Sequence, residues 1–276
     1  MALNTAQSPK NNLESVVSIP KWQAVWNPER IHTLIVLGIF LIWGTYRALE
    51  NKLFETDYYA RVFSDGVVPH YLSPFYSPPL HHLPGWPAWL SPSLFLLAFP
   101  GSFRFSCYFC RRTYYRAIFG TPPACAAKEV MRRATKYTGE REFPLYLNNL
   151  HRYTLYAIMV FVAFHWYHLI EAFHFTTPTG DHLGIGVGTV VFGIDAVMLT
   201  LYVTSCHSFR HLVGGIVNKF SNAPGRYAVW EKVTALNENH GLFFWLSLYS
   251  VGLADLYVRS VCAGIVPDAH FVLGGK

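Results

Sequence analysis

The sequence predicts an all-α integral membrane bundle of five transmembrane helices, N-terminus in the cytoplasm and C-terminus outside. Three observations carry that expectation. Only 14% of the 276 residues are charged and 52% are apolar, where a soluble domain has about 25% charged residues. Mean hydropathy is accordingly positive, at +0.22. Five apolar stretches approach or exceed the roughly 20 residues that a helix needs to cross the hydrocarbon core. The formal charge of +6 lies between those stretches, which is how a membrane protein sets its orientation. It is not gathered into a face that would bind nucleic acid.

Taken in order, residues 1–30 are polar, carry Lys10, Lys21 and Arg30, and lack the short apolar core of a secretory signal. They read as a cytoplasmic tail ahead of a transmembrane domain over 31–276. The predicted helices run over about 31–49, 86–107, 146–172, 184–208 and 241–265. In the second, Pro87, Pro92 and Pro100 introduce kinks whose freed carbonyls a bundle can satisfy. The first loop, with PHYLSPFYSPPLHHLPGWP, reads as an ordered outer cap lying on the lipid headgroups. The second loop holds Arg111, Arg112, Arg116, Lys128, Arg132, Arg133, Lys136 and Arg141, and the fourth Arg210, Lys219, Arg226 and Lys232. The third has no Lys or Arg, so the two basic loops belong inside the cell.

That topology sorts the chemistry by face. Cys107, Cys110, Cys125 and Cys206, four of five cysteines, fall near the cytoplasmic end with His151, His207, His211 and His240. Cys107 and Cys110 share a helix face at i and i+3. Cys125 follows the stiff Pro122-Pro123 pair. His207 and His211 stand at i and i+4, a spacing that lets two imidazoles reach one metal. His151 and His240 open the third and fifth helices as rivals. Thiolates on one iron and imidazoles on the other define a Rieske-type [2Fe–2S] cluster, and a Cys2His2 zinc site is the plainer alternative.

Asn149, His151, Arg152 and Tyr153 form a polar band suited to a quinone carbonyl. Asp195, in the middle of the fourth helix, is a candidate for a proton path or for pairing with a hydroxyl. Asp255 and Arg259, at i and i+4, are expected to pair with each other. A haem b would have to pair His165 or His168 with an outer-loop His, since facing helices offer no interior His partner. A proton-coupled transporter using Asp195 is a further alternative, although no inverted repeat supports it.

Three segments carry a family resemblance: SCYFCRRTYYRAIFGTPPACA, KYTGEREFPLYLNNLHRY and SCHSFRHLVGG. Together they resemble the membrane-anchor subunit of a bacterial, actinobacterial-type succinate dehydrogenase (respiratory complex II), of the class with a membrane-embedded Rieske-type cluster. The resemblance implies flavoprotein and iron–sulfur partner subunits, electron relay to menaquinone or ubiquinone, and a multi-pass place in the bacterial cell membrane. It implies no catalysis by this chain alone. It also implies Cys107 and Cys125 as thiolate ligands, with Cys110 or Cys206 as substitutes. His207 and His211, or their rivals His151 and His240, would complete the set. A haem b anchor of the same complex is the alternative.

Overall fold

The structure, a computed structural model, describes residues 28–50, 52–110, 145–215 and 217–274. Cys125, most of the predicted tail and most of the basic second loop lie outside the described residues. The helices are α1 (Pro28–Glu50), α2 (Ser93–Ser106), α3 (His151–Glu171), α4 (Val187–Thr204), α5 (His207–Gly214), α6 (Pro224–Glu238) and α7 (His240–Cys262). Among the described residues, α1, α3, α4 and α7 are long and apolar enough to cross a membrane.

The second predicted span is shorter than expected. α2 has 14 residues, or about 21 Å at 1.5 Å per residue. Proline explains its start: residues 86–92 form turns, with Leu90 N–H donating to Pro87 O and Trp86 Nε1 donating to Leu90 O at 2.7 Å. Cys107 ends α2 by turning to extended backbone, φ −63° and ψ 134°. α5 and α6, at the same end of the bundle, replace a predicted loop.

The core contact is α4 against α7, with α3 packed between α4 and α2. At the opposite end the wholly α-helical expectation needs correction. β1 (Val68–Pro69), β2 (His174–Thr177), β3 (Gly180–Gly186) and β4 (His270–Val272) form an antiparallel sheet in that order. The β2–β3 hairpin pairs Phe175 with His182, and β3–β4 pairs Gly184 with Val272. The predicted start of the fourth helix, residues 184–186, belongs instead to β3 of this hairpin.

The first loop does not merely lie on the headgroups. Tyr71, Phe75 and Tyr76 are buried, and Phe75 and Tyr76 pack with Leu199 and Val251 inside the bundle. Asp268 fastens this end: it accepts from Tyr71 Oη at 2.9 Å, Tyr257 Oη at 2.5 Å and Gly188 N–H at 3.1 Å. A Cβ on Gly188 would overlap the Tyr71 ring, so glycine is what lets the loop approach so closely. Asp255 and Arg259 do not pair with each other. Asp255 accepts from Trp43 Nε1 at 2.8 Å and Ser73 Oγ at 2.5 Å. Arg259 reaches Glu50 at 3.4 Å, because the end of α1 and the first loop bring nearer partners.

Candidate Cys/His centre

Four helix ends meet at the end of the bundle opposite the sheet. α2 and α4 end there in Ser106-Cys107 and Ser205-Cys206, and α3 and α7 begin there with His151 and His240. All of these side chains are buried except that of His240, which is partly so.

Their contacts repeat. Ser106 Oγ lies 2.9 Å from His151 Nδ1, and His151 Nε2 lies 3.0 Å from Cys206 Sγ. Ser205 Oγ lies 2.8 Å from His240 Nδ1, and His240 Nε2 lies 3.2 Å from Cys107 Sγ. Each imidazole is thus held by the serine of one Ser-Cys pair and faces the thiol of the other. Four residues before each cysteine stands an aromatic ring that stacks on the corresponding imidazole. Phe103 lies on His151 at 4.5 Å and 16°, and Tyr202 on His240 at 5.2 Å and 15°. Backbone N–H groups two and three residues on meet each sulfur: Phe109 and Cys110 for Cys107, Ser208 and Phe209 for Cys206.

This arrangement is legible as a short repeat, aromatic-x-x-Ser-Cys, at Phe103–Cys107 and Tyr202–Cys206. The repeat is only five residues long at each site, far below the period of a structural repeat, so neither it nor Ser106 and Ser205 stand out in the sequence. Burial pushes the Cys206 thiol up to about 12, with Cys107 the next cause. A thiolate here needs a positive partner. Arg104 is near: it donates to Phe244 O at 3.1 Å and Ser247 Oγ at 3.0 Å, and lies 4.6 Å from the Tyr202 ring centroid.

Of the ligands suggested by spacing, His207 and His211 sit on the exposed side of α5 with rings 4.8 Å apart. They line a cleft of about 500 Å³ together with Asn149, His151, Arg152 and Tyr156. Tyr153, 66% exposed, does not line it. His151 is therefore shared between the cleft and the buried layer. Cys110 is buried and lines a second, apolar cavity of about 220 Å³, which also touches Arg104 and His165. Deep in the bundle Asp195 lies 2.7 Å from His165 Nδ1 and accepts from Ser250 Oγ at 2.9 Å. His168 Nε2 lies 3.1 Å from Ser77 Oγ.

Residues 28–264 match the family described as actinobacterial succinate dehydrogenase subunit SdhC. Among solved structures, the chain is similar to one from the Mycobacterium smegmatis Sdh1 complex in the apo form. The two are 34% identical over 99% of this chain and 98% of that one, with a TM-score of 0.76. No curated protein matches the chain.

Proposed function

The chain belongs to the actinobacterial succinate dehydrogenase subunit SdhC family, and from that we propose that it is the membrane anchor relaying electrons from flavoprotein and iron–sulfur partner subunits to membrane quinone. The relay group in this reading is a Rieske-type [2Fe–2S] cluster held by Cys107, Cys206, His151 and His240.

The observation that carries the reading is the doubled Ser–His–Cys arrangement. It supplies two thiols and two imidazoles in one buried layer. Donors on a single tetrahedral zinc stand roughly 3.3–3.8 Å apart, given bonds of about 2.0–2.3 Å. No three of these four donor atoms lie within 4.8 Å of one another. That spread suits a group with two metal atoms better than one closed zinc, and the Cys–His contacts at 3.0 and 3.2 Å would have to part for both thiolates to share one iron and both imidazoles the other. Such a cluster exchanges single electrons at a higher potential than all-cysteine clusters.

The residues around it have separate tasks. Ser106 and Ser205, at each Nδ1, leave Nε2 as the ligating nitrogen. The backbone N–H groups beside each sulfur and the Arg104 guanidinium favour thiolate. Asn149, His151 and Arg152 line the adjoining cleft, where they offer donors to a quinone carbonyl. Asp195, bonded to His165 and Ser250, is the buried group that can pass a proton within the bundle. Succinate oxidation belongs to the flavoprotein, and the anchor sits in the bacterial cell membrane with its basic loops inside.

Low-temperature EPR and optical spectra of the purified complex test this. The expected result is a rhombic signal of mixed His/Cys ligation, lost in His151→Ala and His240→Ala and kept in His207→Ala with His211→Ala. A signal that survives both of the first substitutions removes this ligand set. A wild-type complex with a reduced haem band and no such signal returns the chain to the haem b anchors.

A further inference from the structure

At the sheet end of the bundle, far along the chain from the Cys/His layer, three side chains converge that the proposed relay does not use. Glu55 follows α1. His81 and His82 form the short turn Leu80–His82. Both imidazoles point at the one carboxylate: His81 Nε2 lies 3.3 Å from Glu55 Oε2, and His82 Nε2 lies 3.3 Å from the same oxygen. The two rings lie 4.0 Å apart. Among the described residues this is the one group of three His, Cys, Asp or Glu whose ligand atoms all come within 4.8 Å.

The distances are informative. A good N–H···O bond has its heavy atoms about 2.9–3.0 Å apart. Two donors on one tetrahedral zinc, at about 2.0–2.1 Å from the metal, stand roughly 3.3–3.4 Å apart. The observed 3.3 Å separations fit the second value and are also long His–carboxylate hydrogen bonds, so it is the convergence of two imidazoles on one oxygen, not the distance alone, that marks the group. The backbone also fixes the three residues beforehand. Glu55 bridges to Leu72, flanked by Thr56 N–H to Tyr71 O at 3.0 Å and Ser73 N–H to Phe54 O at 2.9 Å. The His81–His82 turn follows Pro78-Pro79, with Leu80 N–H to Pro78 O at 2.8 Å and His82 N–H to Pro79 O at 3.2 Å. Glu55 and His81 keep 16% of their side-chain surface and His82 keeps 49%, so an ion can enter and hold water as a further ligand.

We propose that Glu55, His81 and His82 form a zinc site at the end of the bundle opposite the Cys/His layer. Two imidazoles and one carboxylate are a donor set for a borderline divalent cation, unlike the all-oxygen shells of Ca²⁺ and Mg²⁺. Bound there, Zn²⁺ ties the segment after α1 to the proline-rich turn and clamps the loop that enters the bundle.

The test uses the intact purified complex, washed with chelator and then titrated with Zn²⁺ alone. Bound zinc is counted by mass spectrometry after desalting, and its neighbours are read by X-ray absorption. The wild type is expected to keep one zinc per copy of this chain, with nitrogen and oxygen at about 2.0–2.1 Å and no sulfur. Glu55→Gln and His82→Ala are each expected to weaken binding at least tenfold. His182→Ala, a half-buried histidine at the same end, should leave it unchanged. His82 is half exposed, so its variant should assemble with unaltered iron content. A wild type that holds no zinc after desalting overturns the proposal. So does an assembled His82→Ala complex that binds as the wild type does. A sulfur shell near 2.3 Å places the zinc in the Cys/His layer and also overturns it.

Discussion

At the scale of single residues, the serines make the sharpest prediction. In Ser106→Ala, His151 Nδ1 loses its oxygen partner at 2.9 Å while both sulfurs and both Nε2 atoms stay in place. The rhombic signal should persist with shifted g-values and a changed midpoint potential, whereas His151→Ala should abolish it. Redox-titrated EPR on the complex separates the two. A second prediction concerns His70, whose Nδ1 lies 3.3 Å from Asp57 and whose Nε2 lies 2.8 Å from Thr176. The Asp57 hydrogen bond raises its pKa above the ordinary histidine value, against the opposing effect of burial. The protonated ring thus adds stability that is fully present below about pH 6.5 and is lost as pH rises through the raised value. Thermal unfolding should show His70→Asn less stable than wild type at pH 5.5, with the gap closing by pH 8.5. The sequence revealed the residue types gathered at this end and, on local spacing alone, set His207 and His211 ahead of His151 and His240. The i, i+4 spacing of His207 and His211 drew attention to an exposed face. His151 and His240 are brought together by tertiary packing, 89 positions apart in the chain, and no local pattern states that.

At the scale of elements, the four long helices were legible because lipid demands unbroken apolar length. The sheet was not, because its strands are short and β1 and β4 find their partners across the chain. The hairpin turn at Gly180, with φ 125°, was the local signal available. α2 was overestimated because Pro87 and Pro92 were expected only to kink the helix, whereas neither can donate a helical hydrogen bond and the segment around them turns instead, leaving the helix to start at Ser93. Among the described glycines, Gly188 leaves least room for a Cβ, which would overlap the Tyr71 ring, so Gly188→Ala is expected to be destabilising. Forcing a methyl group into a filled site costs about 1–3 kcal/mol. The melting temperature of the complex should fall by a few degrees, and Tyr71→Leu in the same chain should recover part of the loss. An unchanged melting temperature in Gly188→Ala would show that the loop can lift away freely.

At the scale of the whole molecule, charge and topology make a prediction about sidedness. The basic fourth loop and the Cys/His layer share one end, and the sheet with the C-terminal segment lies at the other. A phosphatase that is active only outside the cytoplasm, fused after Lys276, should be active, and one fused within the fourth loop after Lys219 should not. The reverse pattern would invert the bundle and place the proposed relay on the wrong side for its partners. The crossed grip at the centre has its own consequence. His151 depends on α2 for its serine and on α4 for its thiol, and His240 depends on α4 and α2 in the opposite sense. Neither helical pair can finish its half without the other. On the proposed ligand set, a nascent chain whose pairs have inserted but not docked would offer no complete set of donors, so a cluster would be held only once all four helices have closed on one another.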